Sequence, residues 1–433
     1  MAATTAEETA RRPLAPESSD DQGSARPVRT GEWRTLAVLG VPTFALALAI
    51  TTVTTYVPVV AGSFAASTVV IGLLIGGEGL LALVVPVVVG AWSDRLRTRI
   101  GGRLPFVLGA TPPLVAALAL IGFAGTLATM AAAVAAFFAA YYVAYEPYRA
   151  LYPDLVDDDI AARAQSTQAL FRGAATCVAL VAGGLLLSIA APVPFVAAAA
   201  LAALAMALFA WRALRRRPAV DRAGEPETAR EAARALREAV AGNGALQAFL
   251  VANALWELAL SALKTFVVLY LTRGLGFGMT TAALVIGAGA LVILVASPVS
   301  GKLADRLGRA RVMQAALLVY GVGLLVPLIT TSTWVLAAAV PLVAFGGGAI
   351  MTLPYALLQP LMPEDRHGAL SGLYSLSRGA GTALGPLLGG VAIAAASGPL
   401  AATHGYAAIW PVCAVAVLAS LPFVRRLRAD GGV

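Results

Sequence analysis

The chain has 433 residues, of which 59% are hydrophobic and only 12% are charged. About 25% of a typical soluble domain is charged, so this chain lacks the polar residues that the surfaces of two or three soluble domains would require. Its net charge of +8 does not indicate nucleic-acid binding, because the basic residues flank apolar segments and form no continuous face.

The start of the chain, residues 1–33, is predicted to be a disordered cytoplasmic tail. It is rich in Ala, Thr, Glu, Ser, Pro and Arg and has no apolar core of the kind found in a signal peptide. Cys177 and Cys413 lie inside apolar runs and are expected to act as small buried hydrophobic residues. With only two histidines in the chain, no metal site is expected, and no cofactor either.

Long apolar segments follow one another from residue 36 to residue 424. A hydrocarbon core of about 30 Å requires about 20 helical residues. On that criterion the sequence predicts an all-α integral membrane protein with twelve transmembrane helices. They lie near residues 36–60, 67–91, 104–126, 128–152, 167–190, 192–212, 246–271, 280–301, 311–330, 333–357, 368–394 and 405–424.

The spans divide into two halves of six. The predicted domains are the tail at 1–33, an N-terminal half at 34–212, a cytoplasmic linker at 213–245, a C-terminal half at 246–424 and a short cytoplasmic tail at 425–433. Within the linker, residues 225–240 carry apolar residues at helical spacing, which predicts a surface helix.

Short internal repeats support two related halves. The pair Pro147-Tyr148 in the fourth span is similar to Pro354-Tyr355 in the tenth. Residues 171–176 are likewise similar to residues 377–382, and the two offsets nearly agree.

The distribution of arginine and lysine predicts the orientation. Basic residues crowd the even-numbered loops and both tails, whereas the odd-numbered loops carry only Arg273. Because cytoplasmic loops carry an excess of Lys and Arg, both termini are expected to face the cytoplasm, in the cytoplasmic membrane.

One loop motif occurs in each half, at residues 90–106 and 301–311. Each copy has a glycine, an Asp-Arg pair and further arginines. The glycine is expected to let another helix approach closely, and the aspartate to accept backbone N–H bonds or pair with an arginine. Loop charge alone would satisfy the orientation rule, but it does not require the glycine and aspartate. The predicted gating residues are Gly90, Asp94, Arg95, Arg99, Arg103, Gly301, Asp305, Arg306 and Arg309.

The first copy resembles the signature of the major facilitator superfamily, in the form of the sucrose–proton and glycoside–pentoside–hexuronide symporters. Residues 147–155 are similar to the Pro-x-Arg-Ala-Leu-x-x-Asp-Leu pattern of sucrose carriers. The resemblance implies two pseudo-twofold-related six-helix halves that transport by alternating access. The signature is matched at Gly90, Ser93, Asp94, Arg95, Arg99, Gly101, Arg103, Pro105 and Phe106, and Gly102 replaces the usual arginine.

The coupling carboxylates of these relatives are missing. Phe138 stands where plant sucrose carriers have a proton-binding aspartate. Ala82 and Pro86 stand where the sodium-coupled melibiose type has two carboxylates. Sodium coupling and sucrose as the substrate are therefore not indicated.

Other charged residues lie within the spans. A charge at the bilayer centre costs about 3 kcal/mol on insertion scales, so such residues usually serve a transport pathway. Glu78, Glu257 and Glu146 are the candidates for proton coupling, because desolvation favours the neutral form of an acid. The alternative is a fixed ion pair, most naturally between Glu146 and Arg149.

Polar and aromatic residues in the spans could line a substrate path. Sugar rings stack on aromatic side chains and form hydrogen bonds with hydroxyl groups; packing between helices is the alternative role. For Lys264, which is two turns from Glu257, the alternative is snorkelling toward the interface. The candidates are Thr55, Tyr141, Tyr142, Tyr145, Arg149, Asn253, Trp256, Lys264 and Arg378.

The sequence therefore predicts a monomeric, proton-coupled transporter of a sugar or glycoside, and not an enzyme. Gly301-Lys302 has no phosphate-binding loop around it. The expected partners are a small-molecule substrate, protons and the lipid bilayer, with no nucleic acid. The alternative function is proton-coupled efflux of a drug or secondary metabolite.

Overall fold

The computed structural model describes residues 30–96, 98–154, 161–216, 240–330, 332–361 and 367–431. Within those ranges the chain is almost entirely helical and contains no β-strand. The structure does not describe residues 217–239, so the surface helix predicted at 225–240 lies almost wholly outside the described residues.

Six long helices form the N-terminal half. The first three contain proline in their interiors and remain continuous, as membrane helices can when neighbouring helices pack against them. The helices are α1 (Thr30–Ser63), α2 (Thr68–Arg95), α3 (Leu104–Gly122), α4 (Leu127–Asp154), α5 (Ala161–Ile189) and α6 (Val193–Arg216).

The C-terminal half follows the same plan with more interruptions. A π-helical turn, Tyr270–Gly274, extends its first helix, and single turns follow the third and fourth. The last predicted span consists of two short helices separated by Ser420. The helices are α7 (Gly244–Leu269), α8 (Met279–Leu307), α9 (Arg309–Gly323), α10 (Thr333–Leu358), α11 (His367–Ala395), α12 (Ile409–Ala419) and α13 (Leu421–Gly431).

The twelve predicted spans all correspond to helices in the structure. Eleven of them, in the part of the chain that is described, are long and apolar enough to cross a membrane. The twelfth, α11, is long enough, but its many glycines and Arg378 lower its mean hydropathy. The outward face of α2 carries exposed Leu73, Leu80, Val84 and Val88 at helical spacing, as a lipid-facing surface should.

The two halves repeat the same packing. In the N-terminal half α1 packs against α5 and α6, and in the C-terminal half α7 packs against α11 and α12. The pairs α2–α4 and α3–α4 correspond to α8–α10 and α9–α10. The halves meet mainly along α2–α11 and α5–α8, which are also equivalent pairs.

Glycines allow α2 and α11 to pack backbone against backbone. A Cβ at Gly72 would collide with the carbonyl of Pro386, and a Cβ at Gly79 would lie 2.5 Å from the carbonyl oxygen of Gly379. The Thr68 hydroxyl donates a hydrogen bond to the Gly390 carbonyl at 2.7 Å. We call this contact the α2–α11 seam; it lies in the part of the two helices nearest the 64–67 loop.

At the opposite end of α2 the expected close approach is not found. A Cβ added at Gly90 would meet no described atom within 4 Å, and the same holds for its repeat partner Gly301. Close packing at Gly90 therefore stays a prediction, because the contacts between α2 and α11 at the described glycines lie toward the other end. The halves are joined at the end that carries the odd-numbered loops.

Candidate functional site

Four charged side chains meet between the two halves: Glu78 of α2, Glu257 and Lys264 of α7, and Arg378 of α11. We call them the central charged cluster. The best-defined contact is the ion pair between Arg378 Nε and Glu257 Oε1, at 3.3 Å. The Arg378 side chain is 51% exposed, so the cluster opens onto space that water can reach.

Glycines of α11 bring the two members of this ion pair together. A Cβ at Gly381 would lie 2.8 Å from the Cβ of Glu257, and a Cβ at Gly385 would collide with the carbonyl of Leu258. Small residues four apart let membrane helices approach closely. One face of α11 therefore packs on α7, while Gly379 and Gly390 pack on α2.

Glu78 is the acid that the N-terminal half contributes. It is 9% exposed and accepts a hydrogen bond of 3.4 Å from the Tyr142 hydroxyl. The cations in its electrostatic environment, Lys264 and Arg378, both belong to the other half. Glu78 is therefore a buried acid at the boundary between the two halves.

Lys264 lies in the same electrostatic environment. Its largest charge interaction is with Glu78, and that with Glu257 is smaller. Glu257 has Arg378 as its ion-pair partner instead. Glu257 thus has its partner within the C-terminal half, whereas the main partner of Lys264 lies across the boundary.

Tyrosines from α4 stand beside the cluster. The rings of Tyr141 and Tyr145 are stacked, 5.2 Å apart with an interplanar angle of 13°, and Tyr142 meets Tyr141 edge to face. We call these three residues the tyrosine wall. Tyr142 and Tyr145 are partly exposed, Tyr141 is buried against both of them, and Tyr142 reaches the Glu78 carboxylate.

A further tyrosine on the opposite side escaped the sequence analysis. Tyr374 of α11 stacks with Phe249 and meets Tyr355 edge to face. Phe249 belongs to α7, the helix that carries Glu257. The position of Tyr374, four residues before Arg378 on the same helix, was an available signal.

Two arginines of the N-terminal half border the same space. Arg149 of α4 pairs with Glu146 at 3.5 Å and is 43% exposed, so the fixed-pair alternative for these two residues describes this conformation. Arg172 of α5 is exposed, and its neighbours Phe171 and Gly173 face Gly40 of α1 and Leu294 of α8. No carboxylate of the described residues forms an ion pair with Arg172.

Three predicted substrate-path residues do not line this space. Trp256 is 1% exposed because its indole N–H donates to the Ser420 hydroxyl at 2.8 Å, inside the C-terminal half. Asn253 is equally buried and donates to Ser377 at 2.8 Å. Thr55 is fully buried in α1. For these residues the packing role is the one observed.

The two loop motifs have different geometries. In the C-terminal half Gly308 alone joins α8 to α9, with a φ of +92° that favours glycine. Asp305 and Arg306 are exposed in the last turn of α8. Arg309 donates to the Ala356 carbonyl at 2.9 Å, placing a cation at the carboxyl end of α10, where the helix dipole favours it.

In the N-terminal half the motif forms a longer loop between α2 and α3. Asp94 and Arg95 end α2, and their side chains lie outside what the structure describes; Arg99 is exposed and Arg103 immediately precedes α3. A Cβ at Gly102 would lie 2.6 Å from the Leu96 carbonyl and collide with that of Ser93. The glycine that replaces the usual arginine at position 102 thus has a steric reason, because this loop leaves no room for a side chain there.

These features define a class of protein: a helical membrane transporter with two pseudo-twofold six-helix halves around a charged central site. The sequence profile of the Major Facilitator Superfamily matches residues 39–294 and 249–431, which together span most of the chain. The chain belongs to this superfamily.

Curated relatives match over short stretches. An uncharacterised MFS-type transporter of Mycobacterium tuberculosis is 36% identical over 102 residues, which are 24% of this chain and 14% of that protein. Multidrug resistance protein 3 of Bacillus subtilis is 28% identical over 101 residues, 23% of this chain and 20% of its own length. The matches therefore span less than a quarter of the relatives' lengths.

Solved structures match over nearly the whole chain. A bacterial homologue of the human lysosomal transporter Spinster, inward-facing and unoccupied, superposes with a TM-score of 0.75 at 16% identity, covering 94% of this chain and 98% of that one. The nucleoside transporter NupG superposes with a TM-score of 0.69 at 12% identity, covering 91% and 98%. At these identities the likeness concerns the fold.

Proposed function

We propose that the protein is a proton-coupled secondary transporter that moves a small organic solute by alternating access, with sugar or glycoside symport as the first candidate. The observation that carries the proposal is Glu78, a buried carboxylate of one half that is attracted to Lys264 and Arg378 of the other half. Protonation of Glu78 would remove this attraction across the boundary. A proton bound there would therefore change the relative stability of the two conformations.

The conformation supports the same mechanism. The halves are joined at the end that carries the odd-numbered loops, and the distribution of basic residues favours the other end as cytoplasmic. We therefore infer an inward-facing state, with both termini cytoplasmic and the protein in the cytoplasmic membrane. Transport by a monomer, from a site between its two halves, is part of the same proposal.

The tyrosine wall favours a ring-shaped substrate. The partly exposed Tyr145 ring, backed by Tyr141, matches the apolar face of a sugar ring or of an aromatic compound, and nearby charged groups can bind its polar edge. The signature shared with sugar symporters favours the sugar. Glu257 and Arg378 would then hold the substrate in position, or release it when their ion pair rearranges.

Efflux is the second candidate, supported by the short similarity to Multidrug resistance protein 3 of Bacillus subtilis. The two functions differ in the direction of net movement for the same imposed pH gradient. Right-side-out and inverted vesicles, each loaded with the same labelled compounds, separate them.

The proton-coupling proposal is tested in proteoliposomes with an imposed pH gradient and a panel of labelled sugars and drugs. We expect the unmodified protein to accumulate its substrate. Glu78→Gln should abolish accumulation while preserving exchange without a gradient, because glutamine cannot release a proton. Glu78→Asp, which keeps the acid, is the matched control and should retain part of the accumulation.

Glu257→Gln is the companion variant. If Glu78→Gln and Glu257→Gln both still accumulate substrate in response to the pH gradient, proton coupling through these residues is wrong. Loss of binding in Glu78→Gln, measured separately, would assign Glu78 to substrate recognition instead.

A further inference from the structure

The internal repeat duplicates an arginine but not its acid. Arg172 of α5 and Arg378 of α11 occupy matching places in the repeated segments 171–176 and 377–382. Their helices pack against equivalent partners, α5 against α1 and α11 against α7. In the C-terminal half α7 supplies Glu257 as the counter-ion of Arg378, at 3.3 Å.

The N-terminal half has no such acid on the equivalent helix. The membrane segment of α1, Leu36–Ser63, contains neither aspartate nor glutamate. Of the two nearby acids in this half, Glu146 pairs with Arg149, and Glu78 faces Lys264 and Tyr142. Among the described residues, Arg172 thus remains an exposed guanidinium without an ion-pair partner.

An unpaired charge within a membrane segment is costly unless water or a ligand meets it. Arg172 is placed where a ligand could do so, because its neighbours Phe171 and Gly173 face Gly40 of α1 and Leu294 of α8, at the boundary between the halves. A planar guanidinium suits a carboxylate, and the partly exposed ring of Tyr145 suits a flat or ring-shaped body.

We propose that the substrate is a small organic carboxylate with a ring-shaped body, and that its carboxylate completes the ion pair that Arg172 lacks. The inference rests on the proposed transport function and deepens it by naming the charge of the substrate. A single unpaired cation matches the single negative charge of a carboxylate better than the nearly double charge of a phosphate. Stacking on the partly exposed Tyr145 would hold the ring.

The test uses the full chain in lipid nanodiscs and compounds matched in shape but not in charge. The pairs are glucuronate with methyl glucoside, and 4-hydroxybenzoate with 4-hydroxybenzamide. Affinities come from ligand-induced shifts in thermal unfolding. In at least one pair we expect the acid to bind about tenfold or more tightly than its neutral counterpart, a difference of about 1.4 kcal/mol.

Variants of Arg172 test whether this residue causes the preference for the acid. Arg172→Gln should bring acid and neutral compound to within about twofold of each other. Arg172→Lys, which keeps the charge but not the planar fork, should retain part of the preference and also serves if Arg172→Gln does not fold. Arg425→Gln, an exposed arginine of α13, is the matched control and should leave the preference unchanged.

Three results would overturn the inference: equal or tighter binding of the neutral members, a preference for the acid that survives Arg172→Gln, or no binding of any acid up to about 10 mM. Transport assays separate this failure from that of the proposed function. Accumulation of a neutral sugar driven by a pH gradient would retain proton-coupled transport and reject the carboxylate. Binding of the acid without accumulation in response to the pH gradient would retain the carboxylate and reject proton-coupled transport.

Discussion

At the scale of single residues, the central charged cluster contains two different kinds of electrostatic interaction. The Glu257–Arg378 ion pair joins two helices of one half, so it can persist while the halves move. The attraction between Glu78 and Lys264 crosses the boundary and must change when the halves separate. The first interaction therefore suits a structural or substrate-binding role, and the second suits a role in the conformational change.

The Glu257–Arg378 pair is expected to behave as a unit. Glu257→Gln leaves Arg378 without its acid, and Arg378→Gln leaves the acid without its cation. Because Arg378 is half exposed, water screens either charge, so each single variant should lower the free energy of unfolding by about 1 kcal/mol or less. The double variant should be less destabilised than the sum of the two, because neither charge is left alone.

Thermal unfolding of the four proteins in detergent measures this cycle. Strict additivity would mean that the two side chains make no interaction that matters to stability. It would leave their ion pair as a feature of geometry only.

At the scale of the elements, the α2–α11 seam determines how closely the halves meet. Gly79→Ala adds one methyl group that would lie 2.5 Å from the Gly379 carbonyl oxygen. Gly77, two residues earlier on the same helix, has nothing within 4 Å of an added Cβ. We expect Gly79→Ala to open the seam and lower the unfolding temperature, whereas Gly77→Ala should be neutral or stabilising by up to about 1 kcal/mol.

The two substitutions change helix propensity equally, so the difference between them reports the seam. Unfolding temperature and the labelling rate of Ala383→Cys, a seam position, are the measurements. Equal behaviour of the two variants would show that the seam tolerates a side chain.

The helices themselves could be predicted from sequence, because the membrane imposes a length and a composition that every span must satisfy. The positions at which one helix contacts another could not be predicted as well. Gly90 and Gly79 are both glycines of α2, yet only Gly79 packs on another helix in this conformation. Which glycine is covered depends on the rotation and separation of the helices, which hydropathy does not encode.

The candidate site was predictable in part because the membrane makes charged residues costly. Charged residues within spans indicate a pathway, and that signal identified Glu78, Glu257, Lys264 and Arg378 before any contact was known. Aromatic residues carry no such signal, because packing in the core and lining of a cavity use the same side chains. Trp256 was therefore a wrong prediction for this conformation, and Tyr374 was missed.

At the scale of the whole molecule, the two ends of the transporter differ. One end is joined through the α2–α11 seam and through the contact of Arg273 with Gly62, between α1 and the turn that extends α7. At the other end neither Gly90 nor Gly301 has a described neighbour close enough to touch an added Cβ. Alternating access requires a second conformation in which these ends exchange roles.

Asp94 is predicted to stabilise that second conformation. It ends α2 in the loop motif, where its carboxylate could accept hydrogen bonds from the start of α11 or pair with an arginine once the basic-loop ends close. Asp94→Asn would weaken this closure and leave the fold intact. The population should therefore shift further toward the conformation described here, in which the seam is closed.

The shift can be measured with Ala383→Cys in a background that lacks Cys177 and Cys413. A membrane-impermeant thiol reagent added at the seam end reaches residue 383 only when the seam opens. Asp94→Asn should slow its labelling several-fold, whereas Ser397→Cys, an exposed position beyond the seam, should label equally fast in both backgrounds. Unchanged labelling of Ala383→Cys together with full transport would show that Asp94 does not act as a latch, and the motif would then serve orientation in the membrane alone.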